Sequence, residues 1–145
     1  MVIVKFLKAH KRICLPQYES EGAAGMDLRA FLENDITISP LSRIKIPTGL
    51  KMEIPSGFEA QIRPRSGLAI KSGLTVLNSP GTIDCDYRGD IEIILINMSD
   101  KDVIVRDGDR IAQMVIAPVC RACIQETDNL SPTVRASGGF GSTGV

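Results

Sequence analysis

Apolar residues in this chain come in runs too short and too regularly alternating for helices. Val2/Val4/Phe6, Met26/Leu28/Ala30, Ile36/Ile38, Ile44/Ile46, Leu50/Met52/Ile54 and Phe58/Ala60/Ile62 each repeat at every second residue. That period sets alternate side chains on one face of a strand. Between the runs lie Ser39-Pro40, Pro47-Thr48-Gly49, Pro55-Ser56-Gly57 and Pro64, residues that shape turns and interrupt ladders. Many short strands with Gly/Pro punctuation predict an all-β sandwich or barrel. Residues 91–96, 103–105 and 111–119 complete the strands, and 91–96 is apolar on both faces, as in a strand covered on both sides. One helical turn is expected over 66–72, bounded by Gly73 and too short to stand without tertiary support.

With 145 residues and no low-complexity linker the chain is expected to form one domain, and its 43% hydrophobic residues fill a core without staples. Seventeen basic and seventeen acidic residues cancel, which removes the electrostatic footprint that nucleic acid or an anionic membrane requires. The opening Met1-Val2-Ile3-Val4-Lys5-Phe6 alternates and is expected to be a strand and not a secretory segment, and no stretch reaches transmembrane length. The expected setting is cytoplasmic, with reduced thiols at Cys14, Cys85, Cys120 and Cys123. Cys120-Arg121-Ala122-Cys123 has the spacing of a redox or zinc pair, but it lacks a second pair and the strand-to-helix setting of such motifs. After residue 128 the alternation stops, and four of the last ten residues are glycine. Residues 1–128 are therefore expected to form the β core and 129–145 a flexible arm, unable to order itself against its own backbone entropy. Arg135, Phe140, Ser142 and Thr143 sit among those glycines, whose successive amides suit an anion.

The stretch Asn78-Ser79-Pro80-Gly81-Thr82-Ile83-Asp84-Cys85-Asp86-Tyr87-Arg88-Gly89-Asp90 concentrates the reactive side chains. Flanked by apolar runs at 74–77 and 91–96, it is expected to be a β-hairpin. In an extended segment Asp84 and Asp86 share one face, and Cys85 and Tyr87 the other. Charged turns are ordinarily solvated loops whose aspartates bond their own backbone. Upstream, Pro64-Arg65-Ser66-Gly67 opens the helical turn with a fixed guanidinium, a hydroxyl and unpaired amides. That combination suits phosphate as well as simple capping.

Gly81-Thr82-Ile83-Asp84-Cys85-Asp86-Tyr87-Arg88-Gly89 resembles the third sequence motif of the trimeric deoxyuridine triphosphatases (dUTPases). Its companions occur in the family's order: Ala23-Ala24-Gly25-Met26-Asp27-Leu28-Arg29-Ala30, Pro64-Arg65-Ser66-Gly67-Leu68-Ala69, Gly108-Asp109-Arg110-Ile111-Ala112-Gln113, and Arg135-Ala136-Ser137-Gly138-Gly139-Phe140-Gly141-Ser142-Thr143-Gly144. The resemblance implies an all-β jelly roll, barrel-like in the β-clip manner, with one short helix and a glycine-rich C-terminal arm. It also implies hydrolysis of dUTP to dUMP and pyrophosphate, assisted by Mg²⁺. The family works as a homotrimer whose sites are shared between subunits, the arm closing over the nucleotide. With its charges balanced, the chain is expected to take neither nucleic acid nor membrane as a partner.

Residue by residue, the resemblance makes Asp84 the general base for the water that attacks the α-phosphate. Arg65, Ser66 and Gly67 match the residues that hold the triphosphate, and Gln113 those that bond around it. Tyr87 lies under the sugar, where a ring packed against C2′ leaves no room for a 2′-hydroxyl. Asn78 and the backbone at Gly81 and Ile83 read the uracil edge, and Phe140 stacks on the base. Arg135, Gly141, Ser142 and Thr143 complete the arm's share of substrate binding. Mg²⁺ rides mainly on the triphosphate and keeps several waters, with Asp27 reaching it through water. Asp86 receives no substrate role.

Two other readings fit the same fold. A dCTP deaminase acts through a glutamate on the strand after the hairpin; counted from Gly89 towards Asn97, that position is Ile94, which cannot take a proton from water. A non-catalytic nucleotide-binding protein would be expected to lack Asp84 or the arm, and both are present.

Overall fold

The structure is a computed structural model of the chain and describes residues 1–141. Among these residues it forms β1 (Lys5–Lys8), β2 (Met26–Arg29), β3 (Ile36–Ile38), β4 (Arg43–Pro47), β5 (Leu50–Glu53), β6 (Phe58–Arg63), α1 (Ser66–Ser72), β7 (Leu74–Val76), β8 (Gly81–Ile83), β9 (Glu92–Asn97), β10 (Val103–Val105) and β11 (Arg110–Pro118). The alternating runs became strands and the expected helical turn became α1. The first strand starts later than its pattern, because pairing with β5 begins only at Lys5↔Glu53.

All ladders are antiparallel. A four-stranded sheet runs β2-β11-β6-β8 and a three-stranded sheet β4-β9-β7, with two-stranded pieces β1-β5 and β10-β3. The fold is all-β, and among the described residues no ladder closes on itself into a barrel. One core joins every sheet: Leu28, Ile38, Ile46, Leu95, Val105 and Met114 are among its buried members. Two polar side chains are buried with them, Thr48 and Asn97, and both are bonded. Asn97 Nδ2 donates to the carbonyls of Ile38 at 2.8 Å and Lys101 at 2.7 Å, while its Oδ1 accepts from Ser99 N and Oγ. One side chain thereby ties the end of β9 to β3.

Two expectations need correction. The first concerns 91–96, expected to be covered on both faces. Ile91, Ile93 and Leu95 are buried, but Ile94 and Ile96 on the opposite face are only half-buried, beside Lys45 and Arg43 of β4. Within one chain that face is left partly open. The second concerns 78–90. Its flanks do pair as hairpin arms, β7 with β9 through Leu74↔Asn97, Thr75↔Ile96 and Val76↔Leu95. The segment between them leaves that sheet, and β8 pairs with β6 through Ala60↔Ile83, Gln61↔Thr82 and Ile62↔Gly81. A free edge on β6 competes successfully for backbone that a simple hairpin would have kept. Beyond β8 the chain turns, Tyr87 N donating to Asp84 O at 3.1 Å. Asp84 to Tyr87 are therefore not extended, and the two-face division of their side chains does not arise.

The helix α1 has Arg65 as its N-cap in extended conformation and Gly73 as its left-handed C-cap. A side chain at Gly73 is excluded twice, by φ +64 and by Ser99 N, which would lie 2.9 Å from a Cβ. After Pro118 residues 119–141 contain neither strand nor helix, and Ile124, Leu130, Val134 and Phe140 are exposed. No helix among the described residues is long and apolar enough to cross a membrane.

Candidate active site

Because β7 and β9 belong to one sheet and β8 to the other, the 78–90 segment bridges the gap between them. The gap is a cavity of about 170 Å³, lined by Asn78, Gly81, Ile83, Asp84 and Tyr87, with Ile62, Val76, Ile91 and Ile93 among the apolar residues of its wall. Gly81 is there for closeness: a Cβ would lie 3.1 Å from Asn78 Nδ2 and 3.3 Å from Ile62 Cβ. The hydrogen bonds that hold the turn come from its neighbours and not from the Asp84 carboxylate. Arg88 Nη1 donates to the carbonyls of Cys85 at 2.7 Å and Tyr87 at 2.8 Å, and Tyr87 Oη donates to Asp90 O at 3.0 Å. Asp84 is exposed at the cavity and so is Tyr87. A carboxylate not consumed by its own turn is free to act on something in the cavity.

A second group of candidates assembles elsewhere. Antiparallel pairing sets Gln113 opposite both Asp27 on β2 and Arg63 at the end of β6, which brings the following Pro64-Arg65 alongside. Asp27 Oδ1 accepts from Arg65 Nε at 2.8 Å and Oδ2 from Arg110 Nη1 at 3.1 Å. Gln113 Nε2 donates to Pro64 O at 2.8 Å. Gly25 leaves room for that amide, since a Cβ would crowd Gln113 Oε1. Ser66 and Gly67 are exposed at the start of α1, where the first amides of a helix have no intrahelical acceptor. Arg110 had no role from the sequence. Its pairing with Asp27 joins residues far apart in the chain, and no local pattern announces it.

These two groups do not meet: none of Asp27, Arg65, Ser66, Gly67 or Gln113 lines the Asp84 cavity. Among the described residues the arm makes no side-chain hydrogen bond to either group. Arg135 Nε donates to Gly138 O at 2.8 Å within the arm, and Phe140 and Gly141 are exposed. Ser142 and Thr143 lie outside the described residues. A larger cavity, about 460 Å³, opens between the 12–19 loop, β2 and Asp107-Gly108. Asp27 is the one candidate that reaches it, and its cations are already engaged, Arg12 with Asp107 and Arg29 with Gly108 O. Among the described residues no group of three or more His, Cys, Asp or Glu is placed to enclose a metal ion.

The family model described as dUTPase matches residues 11–144. The chain belongs to the dUTPase family. It is 55% identical over 138 residues to the deoxyuridine 5'-triphosphate nucleotidohydrolase of Hydrogenobaculum sp. (strain Y04AAS1), covering 95% of each. With the protein of that name from Treponema denticola it shares 51% over 140 residues, 97% of each. Among solved structures, the Staphylococcus bacteriophage 80alpha dUTPase with dUPNHPP superposes with a TM-score of 0.84 at 23% identity, over 99% of both chains. A mutant of the dUTPase from S. aureus phage phi11, described with a structural Mg(II) ion, gives 0.80 at 18% identity over 90% of this chain and 99% of that one. At such identities the superposition establishes the all-β dUTPase fold.

Proposed function

We propose that this chain hydrolyses dUTP to dUMP and pyrophosphate, with Asp84 as the general base. The observation that carries the reading is a free carboxylate at a small cavity walled by Asn78, Gly81, Ile83 and Tyr87, in a chain whose dUTPase match covers residues 11–144. At about 170 Å³ the cavity is well below the roughly 300–1,000 Å³ that surrounds a drug-sized ligand. It accommodates the base and sugar and leaves the triphosphate to emerge past Asp84. One wall is an edge strand, for β8 ends its sheet, and an edge strand presents unpaired N–H and C=O groups. Those groups at Gly81 and Ile83, with Asn78, read the O4/N3 edge of uracil, a pattern that cytosine's amino group does not satisfy. Tyr87 lies against C2′ and excludes a 2′-hydroxyl.

Asp84 then takes the proton of a water aligned with the α-phosphate as pyrophosphate departs. Arg65, Ser66, Gly67 and Gln113 hold the phosphates. Since they stand apart from the Asp84 cavity within one chain, they reach it from a neighbouring subunit of a homotrimer. The half-covered Ile94/Ile96 face supplies part of the contact. Residues 129–145, with Arg135, Phe140, Gly141, Ser142 and Thr143, close over the nucleotide and exclude water. The substrate is the Mg²⁺ complex of dUTP, with the ion on phosphate oxygens and waters and Asp27 as the carboxylate nearest its shell. The setting is cytoplasmic. A deaminase of the same fold is disfavoured because Ile94 itself lines the cavity and has no proton to exchange.

The deciding measurement is product analysis. Pyrophosphate from dUTP supports the reading, ammonia from dCTP supports a deaminase, and neither product leaves a nucleotide-binding protein without turnover.

A further inference from the structure

Gly89 is unlike the glycines that this fold needs for its backbone. Gly49, Gly57, Gly73, Gly108 and Gly141 have positive φ, and Gly89 does not, so its backbone is one that other residues adopt. What sets it apart is the space its missing side chain leaves. A Cβ at Gly89 would overlap Tyr87 Oη, and would lie 2.5 Å from Cζ and 2.9 Å from Cε2. All three atoms are at the far end of one side chain, so a methyl group would displace the phenol ring and not the main chain. The ring lies across Gly89 with its hydroxyl on Asp90 O at 3.0 Å, and from there Tyr87 lines the Asp84 cavity.

We infer that Gly89 is a positioning residue for sugar discrimination: its bare Cα is the seat on which the Tyr87 ring rests, and a side chain of any kind there removes the ring from beneath C2′. The inference rests on Tyr87 reading the sugar. It adds that the reading depends on a hydrogen atom at position 89, where the backbone conformation would allow a larger residue. The seat has two parts. Asp90 O fixes the hydroxyl end, and the Gly89 Cα supports the ring edge. Loss of the second lifts the ring off the first, so the tyrosine exchanges a fixed pose for several.

The test is a double-mutant cycle on the ratio of kcat/KM for dUTP to that for UTP. Tyr87→Ala alone should reduce the ratio. Gly89→Ala should reduce it about tenfold, the low end of what a shaped pocket wall delivers, with kcat for dUTP changed less than the ratio. In the Tyr87→Ala background, Gly89→Ala should then change the ratio by less than about twofold, because the ring it displaces is gone. An undiminished ratio in Gly89→Ala, when Tyr87→Ala has collapsed it, overturns the positioning role alone. An equal loss from Gly89→Ala in both backgrounds also overturns it. An unchanged ratio in Tyr87→Ala overturns the sugar reading itself, and this inference with it. Should Gly89→Ala be too unstable for steady-state kinetics, the comparison passes to melting temperature. The double variant recovers if the clash is with the ring, and a double variant as unstable as Gly89→Ala refutes the inference.

Discussion

Asp27 carries two proposed duties, one toward its arginines and one toward Mg²⁺, and Asp27→Asn separates them. In the structure its carboxylate is spent on Arg65 and Arg110; the side chains of Asp27, Arg65 and Arg110 are 13%, 25% and 43% exposed respectively. The Arg65 pair is shielded enough to count as a charge-assisted bond, about 1.5–3 kcal/mol. Asparagine keeps an oxygen facing Arg65 Nε but not the charge, which forfeits roughly half of that. The more exposed Arg110 pair adds about 0–1 kcal/mol, and leaving two guanidinium groups side by side without a counter-charge adds a little more. The total is about 1–3 kcal/mol, and at roughly 3 °C per kcal/mol for a domain of this size the melting temperature falls by about 3–9 °C. The assay is thermal unfolding at fixed protein concentration, since the proposed subunit association would enter the value, together with steady-state kinetics across a Mg²⁺ titration. With Arg65 no longer held and the metal's water shell deprived of its carboxylate, KM for dUTP and the Mg²⁺ concentration for half-maximal activity should both rise severalfold. An unchanged melting temperature and KM would refute the bridging role. An unchanged KM with a raised Mg²⁺ requirement would assign Asp27 to the metal's water shell.

Asp84→Asn should lower kcat by roughly 10²–10⁴-fold while binding of a non-hydrolysable dUTP analogue is retained; near-normal turnover would remove Asp84 as the base. Chains carrying Asp84→Asn, co-refolded with chains truncated after Val134, should show activity well above the sum of the two preparations, because the proposed mixed trimers would contain sites with both parts intact. No gain after subunit exchange has been verified would show that cavity and arm serve one site from one chain. The Lys5 ammonium bonded to Glu53 holds that carboxyl below its ordinary value of 4.5. This contribution to stability is fully present above pH 4.5 and is lost as pH falls through the lowered value. Glu53→Gln should flatten that part of the acid limb of a melting-temperature profile; an unaltered limb would dismiss the pair.

The strands were legible because alternation is a local property. Each run in 26–62 carries its own period, and the strand follows wherever a partner edge is offered. The same locality explains the failures. Residues 78–90 have hairpin flanks, and the hairpin is half right, but the destination of β8 is decided by the free edge of β6, which a window of sequence does not contain. Ile94 and Ile96 are apolar enough for a covered strand, yet nothing in one chain covers them fully. Of the site, the cavity residues Asn78 to Tyr87 lie within ten positions of one another and were visible as a block. Asp27, Arg65 and Arg110 come from three different stretches, and only the β2-β11-β6 register shows that two arginines share one carboxylate. The arm's residues were nameable by resemblance, and among those described the side-chain hydrogen bonds stay within the arm.

The placement of β8 in one sheet and of its flanking strands in the other has a consequence for how the molecule matures. The β6–β8 ladder closes a short loop, whereas β9 must find β4 across a much longer one, and long closures are the slower to form. The pocket has one wall from each, so it does not come into being with either ladder alone. Under the proposed function, nucleotide bound there would act as a rivet through both sheets, and amide protons on β8 and β9 should become protected against exchange together rather than in sequence. A chain stalled with a single sheet assembled offers the substrate no wall to lie against, so nucleotide occupancy reports that folding is complete.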